Sequence, residues 1–313
     1  MNTRTCEFVS PKHPDKICDF LADSVLDAFM RKDKGSRVAI EVMGGHRRIF
    51  ISGEVTSKAQ VDIQKVVQDI VGRDFQVRSY VEKQSPFIAR GVDTGGAGDQ
   101  GIMVGYATRE TPEFLPKEYV LARDLCKTIF AVYPYDGKTQ VTLEGDTVRA
   151  VVASFQNAKT ADLERLVRKN VHADEYSINP AGEWTLGGFD SDTGLSGRKI
   201  VIDNYGPQVG IGGGSFSGKD YTKVDRSGAY AARKLAVDLL KSRKANEVKV
   251  SLAYAIGKRD PVMAVAHIDG KEESLVGKYD LSTRGIYAFL DLGSIKWANT
   301  AAWGHFGRSF PWQ

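Results

Sequence analysis

Residues 212–220 read GGGSFSGKD, and from Gly213 they run G-x-x-x-x-G-K, the first seven positions of a phosphate-binding P-loop. The eighth position should be Ser or Thr, whose hydroxyl ligates magnesium; here it is Asp220. Successive glycines still let backbone N–H groups converge into an anion nest, and Lys219 can neutralise phosphate oxygens. A second stretch, KHPDK at 12–16, sets an imidazole, a carboxylate and an ammonium where Pro14 suits the first position of a helix. Asp15 and Lys16 then fall in the first turn, beside the positive end of the helix dipole. Further charges sit against glycine: Asp99 in GAGDQG, Asp136 and Lys138 in YDGKTQ, and Asp192, Arg198 and Lys199 in SDTGLSGRK. Carboxylates, lysines and an arginine in glycine-rich turns suit a polyphosphate held by divalent metal ions.

The elements that must position these groups form a pattern that occurs three times. Residues 15–31 place Ile17, Phe20, Leu21, Val25 and Phe29 on one helical face. Two β-rich runs, SRVAIEVM and RRIFISGEV, follow and are joined through Gly44-Gly45 as in a hairpin; a helical run at about 59–71 comes next. Helix, two strands and helix recur at about 118–169, with helices at 118–131 and 160–169, and again from a helix at 226–241 to a helical run near 284–291. The spacing of roughly 100–110 residues is long for a solenoid and predicts three similar α/β domains, each a sheet covered on one face by helices. Boundaries are expected at 1–90, 97–187 and 188–313. Glycine gathers in the connections at 91–101, 187–197 and 206–218, long loops of the kind that bind ligands.

Bulk properties narrow the function classes. The 313 residues carry 42% hydrophobic and 26% charged residues, ordinary for a globular protein of two or more domains. A net charge of +4, dispersed and not interleaved with aromatics, argues against nucleic acid. No apolar run approaches a membrane span, and the N-terminus lacks the apolar core of a signal peptide. Cys6, Cys18 and Cys126 form no C-x-x-C pair, which points to reduced thiols and a cytoplasmic setting.

HPDK, KQSP, GAGDQG, LSGRKI, GGGSFSGKDYTKVDRS and GHFGR occur in the order expected of S-adenosylmethionine synthetases (methionine adenosyltransferases). The chain resembles a compact member of that family from about Glu7 to Trp312. The resemblance implies three similar domains around a pseudo-threefold axis, with active sites between two subunits of a homodimer that can pair into a tetramer. It implies S-adenosylmethionine formation from ATP and L-methionine, followed by cleavage of the tripolyphosphate to phosphate and pyrophosphate. Two magnesium ions per site and potassium are the implied cofactors.

By motif, the resemblance places His13 near the reacting C5′ and gives Asp15 and Asp225 as magnesium ligands and Glu41 as the potassium ligand. Glu54, Gln84, Asp99, Asp192 and Lys223 correspond to positions around methionine. Lys138, Arg198, Lys199 and Lys219 correspond to the catalytic cations around the phosphates, with Lys16 beside them. Asp136, Trp184, Asp192 and Ser215 join them and His13 as implied ATP contacts. Trp184 stands where the family commonly has a smaller aromatic that stacks on adenine. The gate, roughly Gln84 to Gly95, is shortened; Ile211 replaces a histidine and Lys12 a glycine.

Three rival readings differ in what they need. A P-loop kinase or NTPase needs a buried strand before the glycines and a helix directly after them; VIDNYG could end such a strand, but DYTKVDRS delays the next helix to about Arg226. A J-domain co-chaperone also carries H-P-D-K but needs a full helix upstream, and only 12 residues precede His13. An inactive homologue would bind nucleotide alone.

Overall fold

The computed structural model describes residues 3–93 and 95–313, the side chains of residues 87–89 and 93 apart. The first third of the chain runs β1 (Thr3–Val9), α1 (Pro14–Lys32), β2 (Arg37–Gly45), β3 (Arg48–Thr56), α2 (Ile63–Val71), β4 (Gln76–Glu82) and α3 (Pro86–Asp93). The second runs β5 (Gly101–Thr108), α4 (Lys117–Val132), β6 (Gly137–Glu144), β7 (Thr147–Phe155), α5 (Thr160–Asn170) and β8 (Glu175–Ile178). The last runs β9 (Gly194–Leu195), α6 (Ile200–Asp203), α7 (Val224–Ser242), β10 (Glu247–Tyr254), β11 (Met263–Ile268), β12 (Lys271–Ser274) and α8 (Thr283–Phe289). Strand, long helix and hairpin thus open every third, and the expected mixed α/β architecture of three similar units is present.

The three four-stranded sheets are ordered β4-β3-β2-β9, β1-β6-β7-β8 and β12-β11-β10-β5. Each third lends its opening strand to another: β1 pairs antiparallel with β6, β5 with β10, and β9 with β2. The sheets therefore cross the boundaries expected near residues 90–97 and 187. In the first two thirds a helix returns the chain to a parallel fourth strand, β3 to β4 and β7 to β8. In the last, β12 follows β11 directly as an antiparallel neighbour through Asp269-Gly270, both at positive φ.

One face of each sheet is buried. Along β2, Val38, Ile40 and Val42 are within 2% of full burial while Glu41 and Met43 face out, the period of two that a half-covered sheet requires. The helices α1, α4 and α7 pack on these faces and share one continuous hydrophobic core. Two details depart from the sequence reading. The β2–β3 hairpin turns at His46 and Arg47 (φ 49° and 59°), as in a type I′ turn, and Gly44-Gly45 end β2 instead. Phe20 is 39% exposed, because the buried stripe of α1 runs through Cys18, Leu21, Ala22, Val25, Leu26 and Phe29.

Helix α2 begins at Ile63 and not near 59, where Asp62 accepts a hydrogen bond from the Lys65 amide as N-cap. No helix among the described residues is long and apolar enough to cross a membrane. The three cysteines are buried and unpaired.

Candidate active site

Two 19-residue helices, α1 and α7, begin at the candidate site, and each carries an aspartate in its first turn. Asp15 of α1 meets Lys199 Nζ at 2.5 Å, and Asp225 of α7 meets Lys219 Nζ at 2.6 Å. Both lysines come from the glycine-rich loops. A helix start, a carboxylate and an ammonium recur at two points, which is the equipment for a polyanion and its counter-cations.

Around Asp15 the geometry is tight. His13 is the N-cap of α1, its Nδ1 accepting from the Asp15 amide at 3.2 Å, and it is 7% exposed. Burial, then the charges of Lys199 and Lys138, push its pKa down to about 4, so the imidazole is neutral near pH 7. Burial opposes ionisation of Asp15, but hydrogen bonds from Lys199 and the Leu195 amide outweigh it and hold the carboxyl below its ordinary range. Arg198 Nε stands 3.5 Å from the same carboxylate, with its side chain 55% exposed and open to a ligand. Gly194 is required here: a Cβ would lie 2.2 Å from the Pro14 carbonyl carbon, so only glycine lets β9 reach the start of α1.

Asp136, Lys138, Asp192 and Trp184 flank this first group. Lys138 projects from β6 opposite Val9, and both it and Asp192 act electrostatically on His13. Asp136 accepts from the Gly188 amide at 3.0 Å and is raised by burial. Trp184 is half-buried against Gly187, two residues before Phe189. Lys16, expected beside the phosphate cations, instead turns inward: it is 3% exposed and bound to Asp203 (2.5 Å) and Asp19 (2.9 Å). Two buried carboxylates share that one ammonium, and burial raises Asp203 to about 7.

The second group centres on Lys219 and Asp225. Ser215 lies against Gly197, and the Ser196 hydroxyl donates to Glu41 at 2.5 Å, so the 194–199 segment forms a ridge between the two groups. Glu54 on β3 is opposite Ala39, which itself bridges to Lys219. Asp99 is exposed in the turn before β5, where Gly101 approaches Asp225. Gln84 is buried with its Oε1 unpartnered among the described residues. Of the gate stretch 84–95, residue 94 and the side chains of 87–89 and 93 lie outside the described residues.

Asp220 is neither a metal ligand nor a defect. It is fully buried and accepts from the Val38 amide (2.6 Å), the Thr222 amide (2.8 Å) and Lys223 Nζ (2.5 Å). It pins the loop to β2, and Lys223, expected near methionine, is drawn to it at the N-cap of α7. The strand a P-loop needs before its glycines is absent: α6 and a turn stand there, and α7 starts only at Val224. Among the described residues no three His, Cys, Asp or Glu side chains converge as a ready-made metal cage. A single carboxylate per ion fits magnesium, which keeps waters and takes its other ligands from substrate phosphates.

A feature the sequence reading missed holds both groups in place. Asp15, Asp19, Asp23 and Asp27 lie four residues apart along α1. Their carboxylates accept from the amides of Leu195 (2.9 Å), Gly197 (2.9 Å), Gly218 (2.8 Å), and Trp297 and Ala298 (2.8 and 3.0 Å). One helical stripe thus reads the backbone of both glycine-rich loops. The signal, D-x-x-x-D three times over in residues 15–27, was present in the sequence.

Known proteins resemble this chain over nearly its whole length. Residues 2–86, 94–184 and 186–313 match the family models for S-adenosylmethionine synthetase, N-terminal, central and C-terminal domain. The chain is 38% identical to the S-adenosylmethionine synthase of Nocardia farcinica (strain IFM 10152) over 99% of its own length and 94% of that protein's. The S-adenosylmethionine synthase of Fusobacterium nucleatum subsp. nucleatum is also 38% identical, with the same coverage. A solved structure described as an unusual S-adenosylmethionine synthetase from Campylobacter jejuni superposes with a TM-score of 0.88 at 31% identity, covering 100% of this chain and 96% of that one.

Proposed function

The chain belongs to the S-adenosylmethionine synthetase family and is a methionine adenosyltransferase, and from that premise we propose how its own residues divide the work. The observation that carries the proposal is the pair of lysine–aspartate contacts at the starts of α1 and α7, Asp15–Lys199 and Asp225–Lys219. Each sets a carboxylate and an ammonium where a triphosphate and its counter-ions belong. ATP binds with its phosphates among Lys138, Arg198, Lys199 and Lys219, and its adenine against Trp184, near Asp136, Asp192 and Ser215. L-Methionine sits near Glu54, Gln84, Asp99, Asp192 and Lys223.

The methionine sulfur is already nucleophilic, so displacement at C5′ needs alignment more than a base; such alignment supplies roughly 7–11 kcal/mol. Carboxylates near the sulfur stabilise the sulfonium charge as it develops. A neutral His13 offers a hydrogen bond at the ribose end without opposing that charge. Asp15 and Asp225 are the residues that would hold one magnesium ion each, and Glu41, bonded to Ser196, the potassium ion. Magnesium, when bound, would neutralise the phosphate oxygens and polarise the leaving group. Lys199 and Lys219, which lie on these carboxylates, would be freed by such ions to meet the phosphates. Arg198 grips the terminal group while water attacks it, hydrolysing tripolyphosphate to phosphate and pyrophosphate.

A homodimer supports this arrangement. Met43, Phe50, Tyr80 and Leu195 are 37–61% exposed on the outer face of the β4-β3-β2-β9 sheet, beside Glu41 and Glu54. A second copy packed on that face buries them and brings the first group of one subunit towards the second group of the other. The buried free thiols suit a cytoplasmic setting. Incubation with ATP, magnesium and methionine is the test: S-adenosylmethionine with phosphate and pyrophosphate is expected, and ADP as the product would overturn the reading.

A further inference from the structure

A cavity of about 950 Å³ opens between α1, the end of α2, α4 and residues 298–310, and none of the site residues assigned above lines it, the inward-turned Lys16 excepted. The volume is that of a site for a small organic molecule. Its apolar surface comes from Phe20, Ile70, Phe75, Phe189 and Phe310. Phe20 and Ile70 are 39% and 40% exposed, a cost in water that an occupant would remove.

The polar part of the wall is cationic. Arg308 directs its guanidinium hydrogens to the carbonyls of Ala302, Gly304 and Asn299, so its geometry is fixed while its charge meets no carboxylate among the described residues. Lys127 lies 5.8 Å from the Trp303 ring centroid, with Asp124 at 3.7 Å its nearest acid. Burial, then Arg123 and Arg308, lower its pKa, against the opposing pull of Asp124. Lys12 adds an exposed ammonium. Lys16 is already neutralised by Asp19 and Asp203, and the acid on the wall, Asp190, leans towards Arg47 at 3.9 Å.

We propose that this cavity is a second ligand site, distinct from the catalytic one, which takes a small amphipathic anion: an aryl or alkyl body with one carboxylate, sulfonate or phosphate head. The body lies on Phe20, Phe75 and Phe310, and the head meets Lys127 and Arg308. Neither ATP nor methionine has this shape, since one is a polyanion and the other a short zwitterion.

The test uses the full chain with its catalytic site filled by methionine, magnesium and a non-hydrolysable ATP analogue. Titration with 8-anilinonaphthalene-1-sulfonate, an aryl body with one anionic head, should show one saturable site per chain. Lys127→Glu and Phe20→Asp, each at a partly exposed position, should each weaken it about tenfold, the effect of one lost contact, with S-adenosylmethionine formation unchanged. Decanoate and decyl phosphate should displace the probe, the tighter of the two assigning the head group, and decylamine should not. Absence of saturable binding, equal affinity in both variants, equal displacement by decylamine, or loss of binding when the catalytic site is filled would each overturn the proposal.

Discussion

Asp23 and Arg226 face each other through a two-point ion pair, at 2.7 and 2.9 Å, with neither side chain exposed to solvent. The pair reaches both ways: Asp23 also accepts from the Gly218 amide, and Arg226 also donates to the Lys219 carbonyl. Thr300 and Tyr230 take the remaining guanidinium hydrogens, and Trp297 stacks over it at 4.3 Å. A buried charge pair thus fixes the backbone of the residue before, and the residue bearing, a candidate phosphate-binding lysine.

Removing one partner leaves the other charge buried and unpaired. Asp23→Ala or Arg226→Met should each cost about 3–5 kcal/mol of stability, and the double variant less than the sum of the two. Denaturant unfolding of the three variants measures this. Strict additivity would mean that the pair is not coupled.

His305, fully buried, contacts the Tyr230 hydroxyl through Nδ1 at 2.6 Å, and its pKa lies well below 6.5 because burial, Lys16, Arg226 and Arg308 all disfavour the cation. In the unfolded chain it protonates near pH 6.5. A depressed histidine binds fewer protons folded than unfolded, so its contribution is complete above pH 6.5 and is lost as pH falls below that value. From pH 7 to pH 5 His305 should therefore lower the melting temperature while Asp203, raised to about 7, acts in the opposite sense, and the unsubstituted protein should lose more stability over that interval than His305→Gln.

Asp220→Ser restores the P-loop consensus at the eighth position. The Val38 and Thr222 amides and Lys223 would lose their acceptor, so the change should cost about 1–3 kcal/mol. It should yield no ADP from ATP. Gain of kinase or NTPase activity would show that the loop is a disguised P-loop after all.

Arg198 has a side chain 55% exposed, and its planar fork, which the lysines lack, can hold a phosphate by two points. In Arg198→Ala, one round of S-adenosylmethionine formation should outpace phosphate release, with tripolyphosphate accumulating on the enzyme. A quenched time course resolving tripolyphosphate from pyrophosphate checks it. Equal slowing of both steps would assign Arg198 a general role instead.

Elements whose signal is local were legible. The spans of α4, α5 and α7 follow from a 3.6-residue apolar period, and α1 adds Pro14 at its first position. What was not legible depends on partners far along the chain. Strand β1 pairs with residues 138–144, and β9 is two residues long, too short for any period to show. Phe20 reads as core in any apolar count, yet the buried stripe passes beside it. The site motifs pick out charged residues, but not which of them face inward: Lys16 and Asp220 look like ligands in a string of letters and are structural ties in the fold. The aspartates of α1 look like an ordinary solvated stripe until the loops they hold are seen.

The outer edge of β2 is covered by the same two loops. Val38 and Ile40 bond to Asp220 and Gly218, Val42 to Ser196, and Met43 and Gly44 pair with Leu195 and Gly194. During synthesis the first hairpin therefore leaves the ribosome with an open edge, and nothing in the first half of the chain closes it. It stays a template for unwanted pairing until residues 194–220 arrive. The glycine-rich loops act as a late-arriving seal on a nascent sheet, so a substitution that loosens them should harm the yield of folded protein as well as its chemistry.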